Sequence, residues 1–203
     1  MSLKHSYTVL APLYDYLVEK PLAQQRRVSL ARLGDVTGKT ILVNGVGSGL
    51  DIPLLPPGAH YVGSDITPAM LQRAEQRARD AHCDIELVEA DSMQLPFEDG
   101  RFDHVIMHLI LAVVPKPELA LQEASRVLKP GGKIFIYDKF IKPGQLALAR
   151  RLLNLIVRHI ATRTDVVFEQ VLSSCPDLQL LKDEPALAGG WFRLIELLKT
   201  GHS

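Results

Sequence analysis

Five short, mostly apolar runs divide the chain: Thr40–Asn44, Ala59–Ser64, Ile85–Glu89, Phe102–Met107 and Lys133–Tyr137. Runs of this length, rich in Val and Ile and bounded by turn residues, predict buried strands. The segments between them change period. Pro68–Ala81 places Leu71, Ala74 and Ala78 at helical spacing. Pro117–Leu128 does the same with Leu119, Ala120, Ala124 and Val127, and Lys129-Pro130-Gly131-Gly132 stops it. Leu13–Leu33, interrupted near Pro21, and Gln145–Thr162 also have helical patterns. Strands alternating with helices predict an α/β fold: a doubly wound, mostly parallel sheet covered on both faces. There is no internal repeat.

The first strand ends in Asn44-Gly45-Val46-Gly47-Ser48-Gly49. Glycine at alternate positions lets a backbone turn tightly and pass close to a ligand. The spacing is G-x-G-x-G. A dinucleotide fingerprint would need glycine where Leu50 stands, and no Gly-Lys-Ser/Thr follows to make a P-loop. Two carboxylates then appear at successive strand ends. Asp65 follows the second strand, where an acid can accept from both hydroxyls of a ribose, and Asp91 follows the third, where it can accept from an exocyclic amine. Helix capping by Asp65 and turn formation by Asp91 are the competing structural readings. At the end of the fourth strand, His108 is the leading candidate for a base or orienting group, and Asp138 after the fifth strand is the second.

These pieces, ILVNGVGSG, YVGSDITPAML, VEADSMQLPFEDGRFDHVIMH and RVLKPGGKIFIYD, resemble as an ordered set the class I S-adenosylmethionine (SAM)-dependent methyltransferases. The resemblance spans Thr40 to Asp138. It implies a seven-stranded sheet with an antiparallel last strand, for which Gly190–Leu198 is the candidate and Asp177–Lys182 its partner. It implies SAM as cofactor. Gly45, Gly47 and Gly49 would pass its methionine part, Asp65 and Ile66 its ribose, and Asp91, Ser92 and Met93 its adenine, with His108 nearby. One position departs from the pattern. The family usually carries an acid two residues before the first glycine, and here Val43 stands there. The next residue, Asn44, should point to the opposite face of the strand.

MHLILAVVPKPELALQEASRVLKPGG, the early LAPLYDYLVEKPL and the ending GGWFRLIELLK are similar to the small bacterial phosphatidylethanolamine N-methyltransferases. That resemblance implies a lipid amine as acceptor. It also implies an N-terminal segment closing over the site, with Tyr7, Tyr14 and Tyr16 on the acceptor side; Tyr14, Tyr16 and His108 are its catalytic candidates. Quinone methyltransferases share most of the same motifs. The alternatives are therefore C- or O-methylation of a quinone or other small aromatic, and a SAM-binding module without turnover, motivated by Val43.

Composition narrows the picture further. The chain has 203 residues, 47% apolar and 23% charged, with zero formal net charge. This predicts one domain: residues 1–36 a helical lid, 40–138 the SAM-binding core, 139–203 a lid helix and the last strands. Neutral charge argues against nucleic acid as partner. Two distant cysteines, Cys83 and Cys175, without CxxC argue against a metal site. MSLKHSYTVL lacks a signal-peptide core, which predicts a cytoplasmic protein. From Lys139 to Arg163 six basic residues occur with no Asp or Glu, and Arg150, Arg151, Asn154 and Arg158 gather opposite an apolar stripe. A basic amphipathic helix of this kind suits the surface of an anionic membrane, and Arg26, Arg27 and Arg32 would add to it. A lid helix with a solvated basic face is the alternative.

Overall fold

The computed structural model describes residues 22–141 and 166–201. Seven strands form one sheet: β1 (Thr40–Asn44), β2 (His60–Asp65), β3 (Ile85–Glu89), β4 (Phe102–His108), β5 (Leu128–Lys139), β6 (Leu178–Leu187) and β7 (Phe192–Lys199). Their spatial order is β3-β2-β1-β4-β5-β7-β6. Strands β1 to β5 pair in parallel, and β7 runs antiparallel to both of its neighbours. The chain winds outward from β1 through β2 to β3, then returns to place β4 on the other side of β1. This reversal opens a crevice at the carboxyl ends of β1 and β4, where α/β sheets take up ligands.

Helices cover both faces. On one side, α1 (residues 22–31) with the turn after it and α2 (Pro68–Asp80) pack Leu30, Leu33, Ala74 and Ala78 on Ile41, Val43, Ile106 and Phe135. On the other, α3 (Pro117–Val127) and α4 (Phe168–Ser173) pack Ala120, Leu121, Ala124, Phe168 and Val171 on Leu42, Val105, Met107 and Ile136. Alternate residues of each central strand thus feed two cores, which is why the strands are apolar at nearly every position.

Most expected elements lie within a residue or two of where the pattern puts them, and the largest shifts fall in three strands. β5 starts at Leu128 rather than Lys133, because Leu128 pairs with Phe102 before a register shift brings Lys133 opposite His104. Gly132 sits inside that irregularity, where a Cβ would fall 2.7 Å from the Asp103 carbonyl oxygen. β7 begins at Phe192 rather than Gly190, since Gly189 and Gly190 have φ of 66° and 87°, outside strand geometry. β6 continues past Lys182 to Leu187 as a mostly exposed edge, with Pro185 and two irregularities in its pairing. Such features blunt an edge against pairing with other chains. Leu13–Pro21 and Gln145–Thr162 lie outside the described residues.

Candidate active site

The glycine turn is fastened to the end of β2. The amides of Gly45 and Val46 both donate to the Ser64 carbonyl, at 2.9 and 2.8 Å. Gly45, Gly47 and Gly49 all have positive φ. A Cβ on Gly45 would meet Ile110 at 2.7 Å, and one on Gly49 would meet Ile52 at 2.7 Å and the Ala74 backbone at 3.0 Å. At Gly47 only the Gly45 carbonyl comes near among the described residues, at 4.0 Å, so they leave space beside the loop there. Arg77 of α2 donates to the Ser48 carbonyl and holds the outer side of the turn.

Asp65 ends β2 with its carboxylate against this turn. Oδ2 accepts from the Gly47 amide at 3.0 Å and Oδ1 from the Thr67 amide at 2.9 Å. Thr67, not Asp65, is the cap residue of α2, so the carboxylate is not used as a helix cap. Ile66, next in the chain, is 61% exposed at the rim. After β3, Asp91 accepts from the Met93 amide at 2.8 Å and forms a tight turn with Gln94. The loop that carries Asp91, Ser92 and Met93 is pinned from α3. Arg126 donates to the carbonyls of Leu95 and Phe97, and Glu123 accepts from the Leu95 amide. Paired with Glu123 and Asp99, the Arg126 guanidinium is held firmly protonated.

Asn44 points away from the α1 face, as alternation along β1 requires. Its Oδ1 accepts from the Ser92 hydroxyl at 2.7 Å and the Ser64 hydroxyl at 3.3 Å. It therefore ties together the ends of β1, β2 and β3. Its amide nitrogen Nδ2 is buried and has no partner among the described residues.

His108 is fully buried, not exposed on a pocket wall. Its Nδ1 lies 2.9 Å from Asp51 Oδ1 and its Nε2 2.9 Å from Ser29 Oγ. A carboxylate only accepts, so Nδ1 carries the proton, and Nε2 can accept from the serine hydroxyl. Both ring nitrogens of His108, expected as a base or orienting group, are thus engaged by neighbouring side chains. Asp138 is also spent internally. Oδ2 accepts from the Ala112 amide at 3.0 Å and Oδ1 from the Lys139 amide at 2.8 Å, which fixes the loop after β4. Complete burial raises its pKa to about 6 against those bonds. Tyr7, Tyr14 and Tyr16 lie outside the described residues.

The network around His108 contains groups the sequence reading missed. Arg26 donates to the same Asp51 oxygen at 2.9 Å, and the side chains of both are almost wholly buried. Arg26 therefore faces the core rather than a membrane. Arg32 likewise pairs, at 2.5 Å, with Glu184 of β6, so only Arg27 of the three is exposed. The signal was present in the helix pattern. Arg26, Ser29 and Leu30 occupy one buried stripe of α1, continued by Leu33 in the turn after it, and two polar residues on such a stripe need polar partners beneath them.

Comparison with known proteins gives this arrangement a family. The methyltransferase domain matches residues 42–136. A phosphatidylethanolamine N-methyltransferase of Cereibacter sphaeroides is 30% identical over 186 residues, which are 90% of this chain and 91% of that protein. The chain belongs to the class I SAM-dependent methyltransferases. A second relative, the demethylmenaquinone methyltransferase of Clavibacter sepedonicus, is 37% identical over 66% of this chain and 55% of its own length. Among solved structures, the geranyl diphosphate C-methyltransferase of Streptomyces coelicolor, complexed with S-adenosyl-L-homocysteine, superposes with a TM-score of 0.73. It does so at 17% identity over 87% of this chain and 80% of that one, and shares the fold.

The cofactor of this methyltransferase is SAM, and the site fits it. The turn has no room for side chains at Gly45 and Gly49 and opens at Gly47, while carboxylates stand at the ends of β2 and β3. Among the described residues, no group of three His, Cys, Asp or Glu could hold a metal ion, and no helix is long and apolar enough to cross a membrane.

Proposed function

We propose that this methyltransferase transfers the methyl of SAM to the amine of phosphatidylethanolamine. The observation that carries the reading is the relative of that name, which matches nearly the full length of both chains. The state of the polar groups agrees with it. SAM supplies a methyl already activated on a sulfonium, so an amine that has released its proton to water needs only alignment and exclusion of solvent. A phenolic or hydroquinone acceptor needs a base, yet His108 and Asp138 are both committed to internal hydrogen bonds.

In this reading Gly45, Gly47 and Gly49 shape the cradle for the methionine part, Asp65 with Ile66 takes the ribose, and Asp91, Ser92 and Met93 take the adenine. Tyr14 and Tyr16, in the N-terminal part of the segment 1–36 ahead of α1, bound the acceptor side as a lid. The basic run from Lys139 to Arg163 brings the enzyme to an anionic membrane surface from the cytoplasm. Methylation of a quinone is the second reading, favoured by the demethylmenaquinone relative.

The test uses methyl-labelled SAM with vesicles containing phosphatidylethanolamine, and separately with a demethylated quinone. Label on N-methylated lipid is the expected result. Label on the quinone alone would replace the first reading with the second.

A further inference from the structure

Position 43 poses a specific problem. The α-ammonium of SAM needs an anionic partner, and the strand residue that usually supplies one is here a valine, 1% exposed in the core. Asn44 cannot take over, because its side chain lies on the opposite face with Ser64 and Ser92. The missing charge has a counterpart on the correct face. Val43 pairs with Ile106 of β4, both belong to the core under α1 and α2, and His108 is the next β4 residue to point that way. Asp51 bonds to that His108, two residues beyond Gly49.

Asp51 is not there to cap a helix. It occupies the cap position of the short turn Ile52–Leu54, where an aspartate ordinarily accepts from a backbone amide, yet its side chain makes no capping bond. It turns instead toward Arg26 and His108, and both meet the same oxygen, Oδ1. Among the described residues none donates to Oδ2. A buried ion pair adds little to stability when compared with apolar packing, so one built beside a cofactor turn calls for another explanation. An Arg–Asp pair, one cation beside one anion, is also complementary to the zwitterionic end of an amino acid.

We infer that Asp51 supplies the carboxylate absent from position 43 and receives the α-ammonium of SAM, with His108 and Arg26 as positioning residues that hold it in place. This rests on SAM as cofactor and is independent of the methyl acceptor.

Binding calorimetry tests it as a cycle between the protein and the ligand. The ligands are S-adenosylhomocysteine, its deamino analogue with hydrogen in place of the amino group, and methylthioadenosine, which lacks the amino-acid end. The proteins are wild type and Asp51→Asn. Wild type should bind the deamino analogue about 30-fold more weakly than S-adenosylhomocysteine, the scale expected when one partner of a buried charge contact is removed. D51N should bind those two ligands alike, because the contact is already lost, and should keep the wild-type affinity for methylthioadenosine. Equal affinities in wild type, losses that add in the variant, or a parallel fall for methylthioadenosine would each overturn the assignment. Should D51N fail to fold, Asp51→Glu keeps the charge but moves it by one methylene. Its discrimination between the first two ligands should then shrink, and undiminished discrimination would count against the assignment.

Discussion

Asp138 and His104 are buried at opposite ends of the sheet and are perturbed in ways that oppose each other. Burial raises Asp138 to about 6, so the folded chain holds a proton there that the unfolded chain has released above its ordinary value of 3.8. Its contribution therefore diminishes as pH rises from about 4 to 6. Burial, with the Lys39 charge beside it, lowers His104 to about 4, so the unfolded chain takes up that proton first as pH falls from 6.5. Its contribution increases with pH over nearly the same interval. Wild type should show a shallow pH dependence of unfolding free energy there. Asp138→Asn should leave the His104 effect uncompensated, so that stability climbs with pH by on the order of 2 kcal/mol between pH 4 and 6. Urea melts at several pH values measure this, and parallel curves for the two proteins would refute it. Asp51 acts below that window. Its partners His108 and Arg26 outweigh burial and hold it at about 2, so its contribution is lost only as pH falls from about 4 toward 2.

The helix α1 shows how one element can serve both folding and site construction. Its Leu30, with Leu33 in the turn that follows, anchors it on the sheet, and Arg26 and Ser29 on the same stripe complete the network over β4. Arg32 reaches the other way, to the exposed edge strand β6. These two arginines should behave differently. Arg26→Ala leaves the Asp51 charge buried beside His108 alone and should destabilise the fold by about 3–5 kcal/mol. Arg32→Ala removes a pair whose glutamate is half exposed and should change stability by about 1 kcal/mol or less. Equilibrium urea unfolding separates the two, and similar losses would show that Arg26 is not in a buried ion pair. On the opposite face, α3 has the matching role, since Arg126 fastens the loop carrying Asp91 to its helix.

For the whole molecule, zero net charge coexists with a segregated basic segment. Long-range attraction to a surface depends on where charge is placed, not on the total. If the run from Lys139 to Arg163 brings the enzyme to a membrane, vesicles rich in anionic lipid should retain it at low ionic strength and release it as salt shortens the screening length. Cosedimentation measures this. Replacing Arg150, Arg151 and Arg158 with Gln should abolish retention while the pairing of Arg26 and Arg32 is untouched. Retention that ignores salt would point to apolar insertion instead.

The amino-acid pattern alone determined the β/α alternation, the parallel core and the glycine turn. Each is governed by local rules: backbone period, positive φ and the placement of acids at strand ends. Strand boundaries were less legible wherever pairing with a distant neighbour decided them, as Phe102 did for Leu128. In the sequence Arg26 read as a charge for a membrane surface and His108 as a base or orienting group, while Asp51 carried no assignment. Only the tertiary structure brought them together, because Arg26 and His108 lie 82 positions apart and each lies 2.9 Å from the same oxygen. Burial then decided their chemistry. A charge withdrawn from water must find a partner, and which partner it finds depends on how α1 crosses the sheet.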